Sequence, residues 1–488
     1  MQLVAGDTAS SLAGHTGRTQ GKSYSSFDEL GSREVIKISH AALGENSSLR
    51  RSWNAPLSTI SEDKIRHSMD DVLGCKSNYT CPEQKELIQF AVNRRNKHCI
   101  GNLGCGMGKS MAIWVHVMAR YTYGTIDGTV LVVMPDRSLM EQQFCKANDI
   151  FSGRDVSIGK FHQNDVIGGQ EPDVLKHQIS FVSVNAWQKM TADCGDVLKK
   201  WQEDRSIDLI FVDEIHLLFD QYDIRSVEYN SLQDLVDLGA PIILLTATLP
   251  KPLSIPLVKF LGLGNVEYIG GDSYDAPDVE INVVSLEKKE VVQDALEKIS
   301  ARIRSIPGDS IHAISQYKHE GKILYEKCKH NKIQCEYVDS DTGREERNRI
   351  ARSWFEGKTA LLISTTGTGF DCLTCSCVIV VAGVWSMLSF VQHLGRIRKK
   401  KQGEDAILYL LHVNNLSQQE LQKYKDSANL VYTRLNENNL IGKPGDYLKY
   451  CSPMALNRYV NNKGGCRMVN LLSAVGGSRS PCGRCDLR

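Results

Sequence analysis

The hydrophobic positions of the chain alternate between two spacings from about residue 82 onward. Short runs of β-branched and aliphatic residues, typical of buried strands, are separated by longer stretches whose apolar residues recur at helical spacing. The runs lie at 98–102, 129–135, 179–184, 207–214 and 240–248, and then at 309–315, 333–340, 359–365, 377–383 and 406–412. Strands that alternate with helices in this way predict doubly wound parallel sheets, an α/β fold.

The two series of strands predict two tandem domains. The turn-rich segment between them, "GGDSYDAPDVEINVVS", contains the expected linker. We place the first domain at 76–272 and the second at 273–425. Residues 1–75 are rich in Ser, Gly and charged residues, so we expect a flexible, loosely ordered extension with a short helix near "EVIKISHAAL". Residues 426–488 are expected to form a small helical tail that contains cysteines.

Composition excludes few functions. The chain has 488 residues, 42% of them hydrophobic and 24% charged, as in a soluble globular protein of two or three domains. It has no run of apolar residues long enough to span a membrane and no secretory signal, so we expect no membrane partner. The 15 cysteines, mostly in apolar stretches, indicate a reducing compartment. A net charge of +1 neither favours nor excludes a nucleic-acid partner.

The first candidate for chemistry is the segment "LGCGMGKS" at 103–110, between a strand-like run and a helical one. This is the context of a phosphate-binding loop. The glycines that would let backbone N–H groups approach a phosphate are Gly104, Gly106 and Gly108. Lys109 is predicted to contact the β- and γ-phosphates of ATP, and Ser110 to ligate Mg²⁺. Alone, the loop is also compatible with a plain glycine turn, because Leu103 stands where the strict pattern has glycine.

A second element, "LIFVDEIH" at 209–216, strengthens that interpretation. Asp213 and Glu214 follow a buried strand, where α/β sheets place ligands. We predict that Asp213 holds the Mg²⁺ and that Glu214 acts as the base for the attacking water. His216 and, from "LLTATLP", Thr246 are expected to complete a hydrogen-bonded cluster with these carboxylates.

The second domain contributes "SFVQHLGRIRKKK" at 389–401, with Gln392, Gly395 and Arg396 on one turn-and-helix unit. An arginine delivered across a cleft to a γ-phosphate stabilises the transition state, so Arg396 is a candidate arginine finger. The alternative is a solvated basic helix. Upstream, Asp371 ends the glycine-rich segment "ISTTGTGFD" and is a further candidate for the nucleotide site.

This ordered set of motifs resembles superfamily 2 helicases, and within them the RecQ group and its fungal telomere-linked relatives. The resemblance extends over about 80–412 and, more weakly, 451–488. It implies two RecA-like P-loop domains with ATP and Mg²⁺ in the cleft between them, and 3′ to 5′ movement on single-stranded or partly duplex DNA. In "CPEQKELIQ", it implies that Gln84 contacts the adenine. A DNA role implies location in the nucleus, or in the nucleoid of a prokaryote; protein partners are not indicated.

The sequence departs from the family pattern in two places. Lys399 stands at the second arginine of the last motif and Arg398 at the preceding glycine, so Arg396 carries the finger prediction, with Arg398 as a substitute. The aromatic-rich loop after the carboxylates, which couples DNA binding to hydrolysis in the family, keeps only Phe219 and Tyr222 and has no tryptophan. The sequence therefore does not predict strong coupling.

The C-terminal cysteines, Cys466, Cys482 and Cys485, resemble the zinc module of the RecQ group. The resemblance implies a structural Zn²⁺, which takes four ligands. Arg488 stands at the fourth position, so the fourth ligand would be Cys451 or a histidine. The alternative is a metal-free tail.

Two other functions stay open at the level of sequence. One is an RNA-dependent ATPase of the same superfamily, because the motifs of the ATP cleft do not distinguish DNA from RNA. The other is a non-catalytic, nucleic-acid-binding remnant of a mobile or subtelomeric helicase gene, which the altered Lys399 and the incomplete cysteine set would suit.

Overall fold

The structure, a computed structural model, contains two separate β-sheets, one of eight strands and one of six. It describes residues 34–36, 59–93, 97–104, 106–123, 128–166, 173–193, 198–201, 207–270, 279–365, 375–383, 386–397, 406–413, 422, 426, 429, 433, 453–462, 464–474, 481 and 485. Residues 271–278, on which most of the predicted linker falls, lie outside this part of the chain.

The first sheet has the strand order β1-β8-β2-β7-β6-β3-β5-β4. Its strands are β1 (Glu34–Ile36), β2 (His98–Asn102), β3 (Thr129–Met134), β4 (Ile158–Phe161), β5 (Ile179–Ser183), β6 (Ile207–Val212), β7 (Ile242–Thr246) and β8 (Val266–Gly270). All neighbours pair in parallel except β1, which lies antiparallel to β8. The central strands are buried along their whole length, which explains why they are mostly apolar on both faces.

Helices cover both faces of this sheet. They are α1 (Glu62–Leu73), α2 (Pro82–Asn93), α3 (Met111–Tyr123), α4 (Arg137–Ile150), α5 (Val184–Asp193), α6 (Leu217–Asn230) and α7 (Lys251–Phe260), with a 3₁₀ segment at Ser231–Leu238.

Part of the expected N-terminal extension has ordered structure on the first domain. Helix α1 packs on α3 and buries Ile65 and Met69, each 1% exposed. The short helix predicted near "EVIKISHAAL" is instead strand β1 at its start. The β-branched pair Val35 and Ile36 suits that strand, which adds to the edge of the sheet. The first domain thus begins before the predicted boundary at residue 76.

The second sheet is parallel throughout, with the order β11-β12-β10-β13-β14-β9. Its strands are β9 (Val279–Leu286), β10 (Ile311–Ser315), β11 (Cys335–Val338), β12 (Leu361–Thr365), β13 (Cys377–Val381) and β14 (Ala406–Val413). Its helices are α8 (Val291–Ser305), α9 (Lys318–His330), α10 (Arg344–Phe355) and α11 (Met387–Leu394). Two parallel α/β domains in tandem confirm the predicted fold class.

In the part of the tail that the structure describes, α12 (Pro453–Asn461) and α13 (Arg467–Ala474) are short helices that pack against α11. The rings of Phe390 and Tyr459 lie 5.5 Å apart, centroid to centroid. Leu471 and Leu472 are fully buried in the same apolar core. The tail therefore supports α11 from one side. Among the described helices, none combines the length and the apolar character needed to cross a membrane.

Candidate functional site

The glycine-rich loop connects β2 to α3 at the carboxyl edge of the first sheet. Leu103 N donates to Thr246 O at 3.0 Å, and the Leu103 side chain is 1% exposed. Leu103 therefore belongs to the strand end and the core, which explains how the loop forms without glycine there. Gly106 and Gly108 have φ of 78° and 75°. These are left-handed conformations that glycine adopts without strain, as a loop that turns its N–H groups inward requires.

Gln84 lies against this loop. Thr80 N donates to Gln84 Oε1 at 2.6 Å, and Gln84 Nε2 donates to Gly108 O at 3.3 Å. A Cβ on Gly108 would lie 2.2 Å from Gln84 Nε2. Glycine at position 108 suits both the left-handed backbone and the contact with the end of the Gln84 side chain.

The strand β6 delivers the two carboxylates to the same edge. Glu214 Oε1 accepts from Lys109 Nζ at 2.9 Å, so the loop lysine pairs directly with the second carboxylate. His216 Nδ1 lies 3.2 Å from Glu214 Oε2. Glu214 itself has φ of 50°, which is rare for a residue with a side chain.

The charge state of Glu214 follows from these neighbours. Burial raises the pKa of this carboxyl, but the Lys109 charge and the adjacent His216 act against burial and outweigh it. Their combined effect holds the pKa of Glu214 well below its ordinary value of 4.5. Glu214 is therefore an anion at neutral pH.

Asp213 and Ser110 are the residues that would hold Mg²⁺. Asp213 is 5% exposed, and its Oδ1 accepts from the Glu214 amide at 2.9 Å. Ser110 lies directly before α3 and is half-buried. One carboxylate and one hydroxyl suit Mg²⁺, which usually takes few protein ligands besides waters and substrate phosphates. Among the described residues, no three His, Cys, Asp or Glu side chains are grouped as they would be around a metal ion held by protein alone.

His216 connects the carboxylates to the second domain. Its Nδ1 lies 3.0 Å from Thr246 Oγ1, which also accepts from the Thr248 amide at 3.2 Å. On its other side, His216 Nε2 contacts Gln392 Nε2 on α11. A continuous line of side chains, Lys109, Glu214, His216 and Gln392, thus runs from the glycine-rich loop into the second domain.

Arg396 follows one turn after Gln392. Gly395 caps α11, and the Arg396 amide donates to His393 O at 3.2 Å. Burial and then the nearby Arg396 charge lower the pKa of His393 to about 3, and both also lower the pKa of His312. The two histidines beside Arg396 are therefore neutral at physiological pH and do not repel its positive charge.

Several predicted site residues lie outside the described part of the chain: Asp371, Arg398, Lys399 and Cys482. Of the predicted zinc ligands, Cys466 and Cys485 are both buried, with their Sγ atoms 3.9 Å apart. The structure thus brings two of the three cysteines together.

The predicted aromatic-rich loop is a helix. Leu218 and Phe219 are buried in the core of the first domain, and this burial holds residues 217–230 as α6. The helix has a kink at Arg225, with φ −133° and ψ 30°. The guanidinium of Arg225 lies 5.4 Å from the centroid of the Tyr229 ring.

Sequence reasoning missed Asn102, at the end of β2. Its Nδ2 donates to Leu249 O at 2.8 Å and lies 2.7 Å from Tyr268 Oη, and Leu249 N donates to its Oδ1 at 3.3 Å. Asn102 thereby fixes the strand that leads into the glycine-rich loop to the segment after Thr246. In the sequence, the only indication of this role is that Asn102 is a polar residue at the end of an apolar strand.

Sequence reasoning also missed a second contact between the domains. Ser386 Oγ, at the start of α11, donates to Asp220 Oδ1 of α6 at 2.6 Å. Ser386 belongs to no motif that the sequence identifies, and Asp220 lies between Phe219 and Tyr222 of the aromatic-rich segment, where the sequence gives it no role.

Two family comparisons match this chain in tandem. Residues 81–255 match the DEAD/DEAH box helicase family, and residues 288–432 match the helicase conserved C-terminal domain. No curated protein matches the chain.

Solved structures with a similar fold include three helicases. The DUF1998 helicase MrfA bound to DNA is 14% identical with a TM-score of 0.56, over 86% of this chain and 59% of that one. Mycobacterium smegmatis Lhr bound to ssDNA and AMP-PNP is 15% identical with a TM-score of 0.55, over 86% and 56%. S. cerevisiae Dbp5 bound to RNA and ADP BeF3 is 13% identical with a TM-score of 0.53, over 77% and 91%. The chain therefore spans less than two thirds of the length of MrfA and Lhr.

Proposed function

The chain belongs to superfamily 2 of the helicases, and on that premise we propose that it is an ATP-dependent DNA helicase or translocase of RecQ type, moving 3′ to 5′ on single-stranded DNA. One observation carries the proposal. The line of side chains from Lys109 through Glu214 and His216 to Gln392 joins the glycine-rich loop to the second domain. Contacts of this kind allow ATP hydrolysis on the first domain to change the position of the second domain.

The Lys109–Glu214 pair gives a mechanism for activating the base. The ATP phosphates compete with Glu214 for Lys109, because both are anions within reach of one ammonium group. Once Lys109 turns to the phosphates, Glu214 loses its main stabilising charge while its burial stays the same. The pKa of Glu214 then rises, which makes it a stronger base for the attacking water.

The remaining residues have supporting roles in this proposal. Ser110 and Asp213 would hold a Mg²⁺, which would neutralise charge on the ATP phosphates. Gln84 turns from Gly108 toward the adenine. Arg396 approaches the γ-phosphate from the second domain as the cleft closes and stabilises the charge of the transition state.

DNA is the proposed nucleic acid because the entry segment around Gln84, the segment at 213–229 and the cysteine tail resemble the RecQ group. MrfA and Lhr were solved with DNA and Dbp5 with RNA, so an RNA-dependent ATPase is the second candidate. The test is the steady-state rate of ATP hydrolysis with single-stranded DNA and RNA of matched sequence and length. Greater stimulation by DNA supports the proposal, and greater stimulation by RNA contradicts it.

A catalytically inactive remnant is the third candidate. It predicts DNA binding without ATP hydrolysis. The measurement is ATP turnover by the parent beside Glu214→Gln, which keeps the size of the side chain but removes the base. A parent rate equal to that of the variant, with DNA still bound, would favour the remnant.

Zinc is a separate part of the proposal. Cys466, Cys482 and Cys485 would supply thiolates to a structural Zn²⁺, and the buried, adjacent pair Cys466 and Cys485 supports this. Elemental analysis of the purified chain tests it. About one zinc per chain is expected, and a ratio well below one would mean that the tail is metal-free.

A further inference from the structure

The second contact between the domains joins the helix after the carboxylates to the helix that precedes Arg396. Ser386 Oγ donates to Asp220 Oδ1 at 2.6 Å. Ser386 is 1% exposed and Asp220 is half-buried, so the bond is partly shielded from water. A hydrogen bond to a carboxylate at this distance is among the stronger ones in proteins, and low exposure strengthens it further.

Ser386 has two roles through one hydroxyl. Its Oγ caps α11 by accepting from the Ser389 amide at 3.1 Å, and the same oxygen donates its proton to Asp220. The two bonds use different parts of the hydroxyl, which has one donor and two acceptor positions. The end of α11 is therefore fixed both to its own backbone and to the first domain.

Asp220 lies close in the chain to the proposed catalytic residues. It lies in the first turn of α6, which follows directly after Glu214 and His216. The helix is kinked at Arg225, whose guanidinium donates to Asn185 Oδ1 on α5. The segment from His216 to Arg225 is thus fixed to the first domain at both of its ends. Asp220 lies within it and contacts the second domain.

On the second domain, Ser386 begins the helix that precedes Arg396, the candidate arginine finger. Gln392, which contacts His216, lies six positions after Ser386 on the same helix, and Arg396 follows four positions later. Packing of Phe390 against Tyr459 supports the opposite face of α11. A displacement of the Ser386 end of this short, rigid helix would displace Gln392 and Arg396 with it.

We propose that the Asp220–Ser386 hydrogen bond is a latch between the domains that positions α11, so that Gln392 meets His216 and Arg396 is delivered to the ATP cleft. The proposal rests on the proposed ATPase function. Asp220 and Ser386 are positioning residues in it and do not contact the nucleotide.

The test exchanges donor and acceptor across the latch. Ser386→Asp retains a good helix cap but places one carboxylate against another, so the latch breaks. Adding Asp220→Asn supplies an amide donor opposite the new carboxylate and restores the bond in the reverse direction. Asp220→Ala removes the acceptor while the cap of α11 stays intact.

We expect kcat for ATP hydrolysis in saturating DNA to fall about tenfold in Asp220→Ala, because this variant loses one hydrogen bond to a charged group. In Ser386→Asp we expect a fall of about a hundredfold, because the two carboxylates also repel each other. The KM for ATP should change by less than about twofold, since Gln84 and Lys109 are untouched. The double variant Asp220→Asn/Ser386→Asp should recover to within about threefold of the parent. If the two residues served only to stabilise the fold, kcat would not recover in the double variant, in which donor and acceptor are exchanged.

A second readout does not depend on turnover. Amide hydrogen exchange of the peptide containing 386–394, measured by mass spectrometry, should accelerate in Ser386→Asp and return toward the parent in the double variant. If the parent hydrolyses ATP but Ser386→Asp has the parent kcat, the latch is wrong while the ATPase function stands. If the parent does not hydrolyse ATP, the proposed function fails, and unchanged exchange in Ser386→Asp would then overturn the contact as well.

Discussion

At the scale of single residues, Glu214 shows what the site requires of the backbone. Its φ of 50° is left-handed, which costs about 1–2 kcal/mol for a residue with a Cβ. In this conformation one carboxylate oxygen meets Lys109 and the other faces His216. The strain is retained because the chain turns sharply after β6 and directs this carboxylate at the glycine-rich loop.

The low pKa of Glu214 makes a testable contribution to stability. Because the folded-state pKa lies below the ordinary value of 4.5, the ionised carboxylate stabilises the folded state above that pH. This contribution disappears as the pH falls through the folded-state pKa. Glu214→Gln should therefore lower the free energy of unfolding by about 1.5–3 kcal/mol at pH 7.

The difference between the parent and Glu214→Gln should shrink as the pH is lowered below 4.5. Urea unfolding at a series of pH values measures it, with the exposed Glu287→Gln as the control for a carboxylate that is not buried. A difference that grows on acidification would mean that Lys109 does not stabilise the Glu214 anion in the folded protein.

Gly108 gives a second prediction at this scale. Gly108→Ala introduces a Cβ in the left-handed region, at φ 75°, and 2.2 Å from Gln84 Nε2, so the backbone is strained and the end of the Gln84 side chain must move aside. We expect a loss of about 1–3 kcal/mol in stability and at least tenfold weaker ATP binding. Gly262→Ala is the matched control, because its φ is 66° but no atom lies within 4 Å of the new Cβ. Equal ATP affinity in the two variants would contradict the role of Gln84 and Gly108.

At the scale of elements, the sequence was sufficient where a strand is buried on both faces. Strands β3, β6 and β7 are mostly apolar, with Asp208 as the one charged residue among them, and lie where the pattern predicts them. Strands β4 and β8 escaped prediction because "IGKF" and "VEYIG" contain charged and glycine positions that interrupt the apolar run. Their strand conformation comes from pairing with neighbours already in the sheet.

Helix α6 shows the opposite kind of error. The family pattern predicted a loop here, and the apolar residues of "LLFDQYDIRSVEYN" do not keep to one face of a straight helix, so neither local signal indicated a helix. Burial of Leu218 and Phe219 decided the outcome. That conformation also places Asp220 where α11 meets it, which no local pattern could have revealed.

Helix α1 gives the prediction at this scale. Ile65 is 1% exposed against the first domain, so Ile65→Ala should destabilise that domain by about 2–4 kcal/mol through lost burial and a cavity. Leu73→Ala on the same helix should cost far less, because Leu73 is 47% exposed. Thermal unfolding of the two variants measures the contrast. Equal melting temperatures would mean that α1 does not pack on the first domain in solution.

At the scale of the whole molecule, the sequence predicted two domains and the residues on each side of a cleft. It did not predict how those residues pair, because a contact such as Gln392 with His216 depends on the placement of one sheet against the other. The pairing of Lys109 with Glu214 was also hidden, since the sequence suggested phosphate and water as their partners. These contacts connect the residues of the proposed ATP site across the two domains.

The proposed ATP site is tested most directly by the steady-state rate of ATP hydrolysis in saturating single-stranded DNA, for the parent and for Lys109→Ala. Loss of the lysine should lower the rate by at least about a hundredfold, because in the proposal its charge binds the phosphates and sets the charge state of Glu214. Lys329→Ala, at an exposed lysine of the second domain, should keep the parent rate. Hydrolysis by Lys109→Ala at the parent rate would contradict the assignment of the ATP site to this loop.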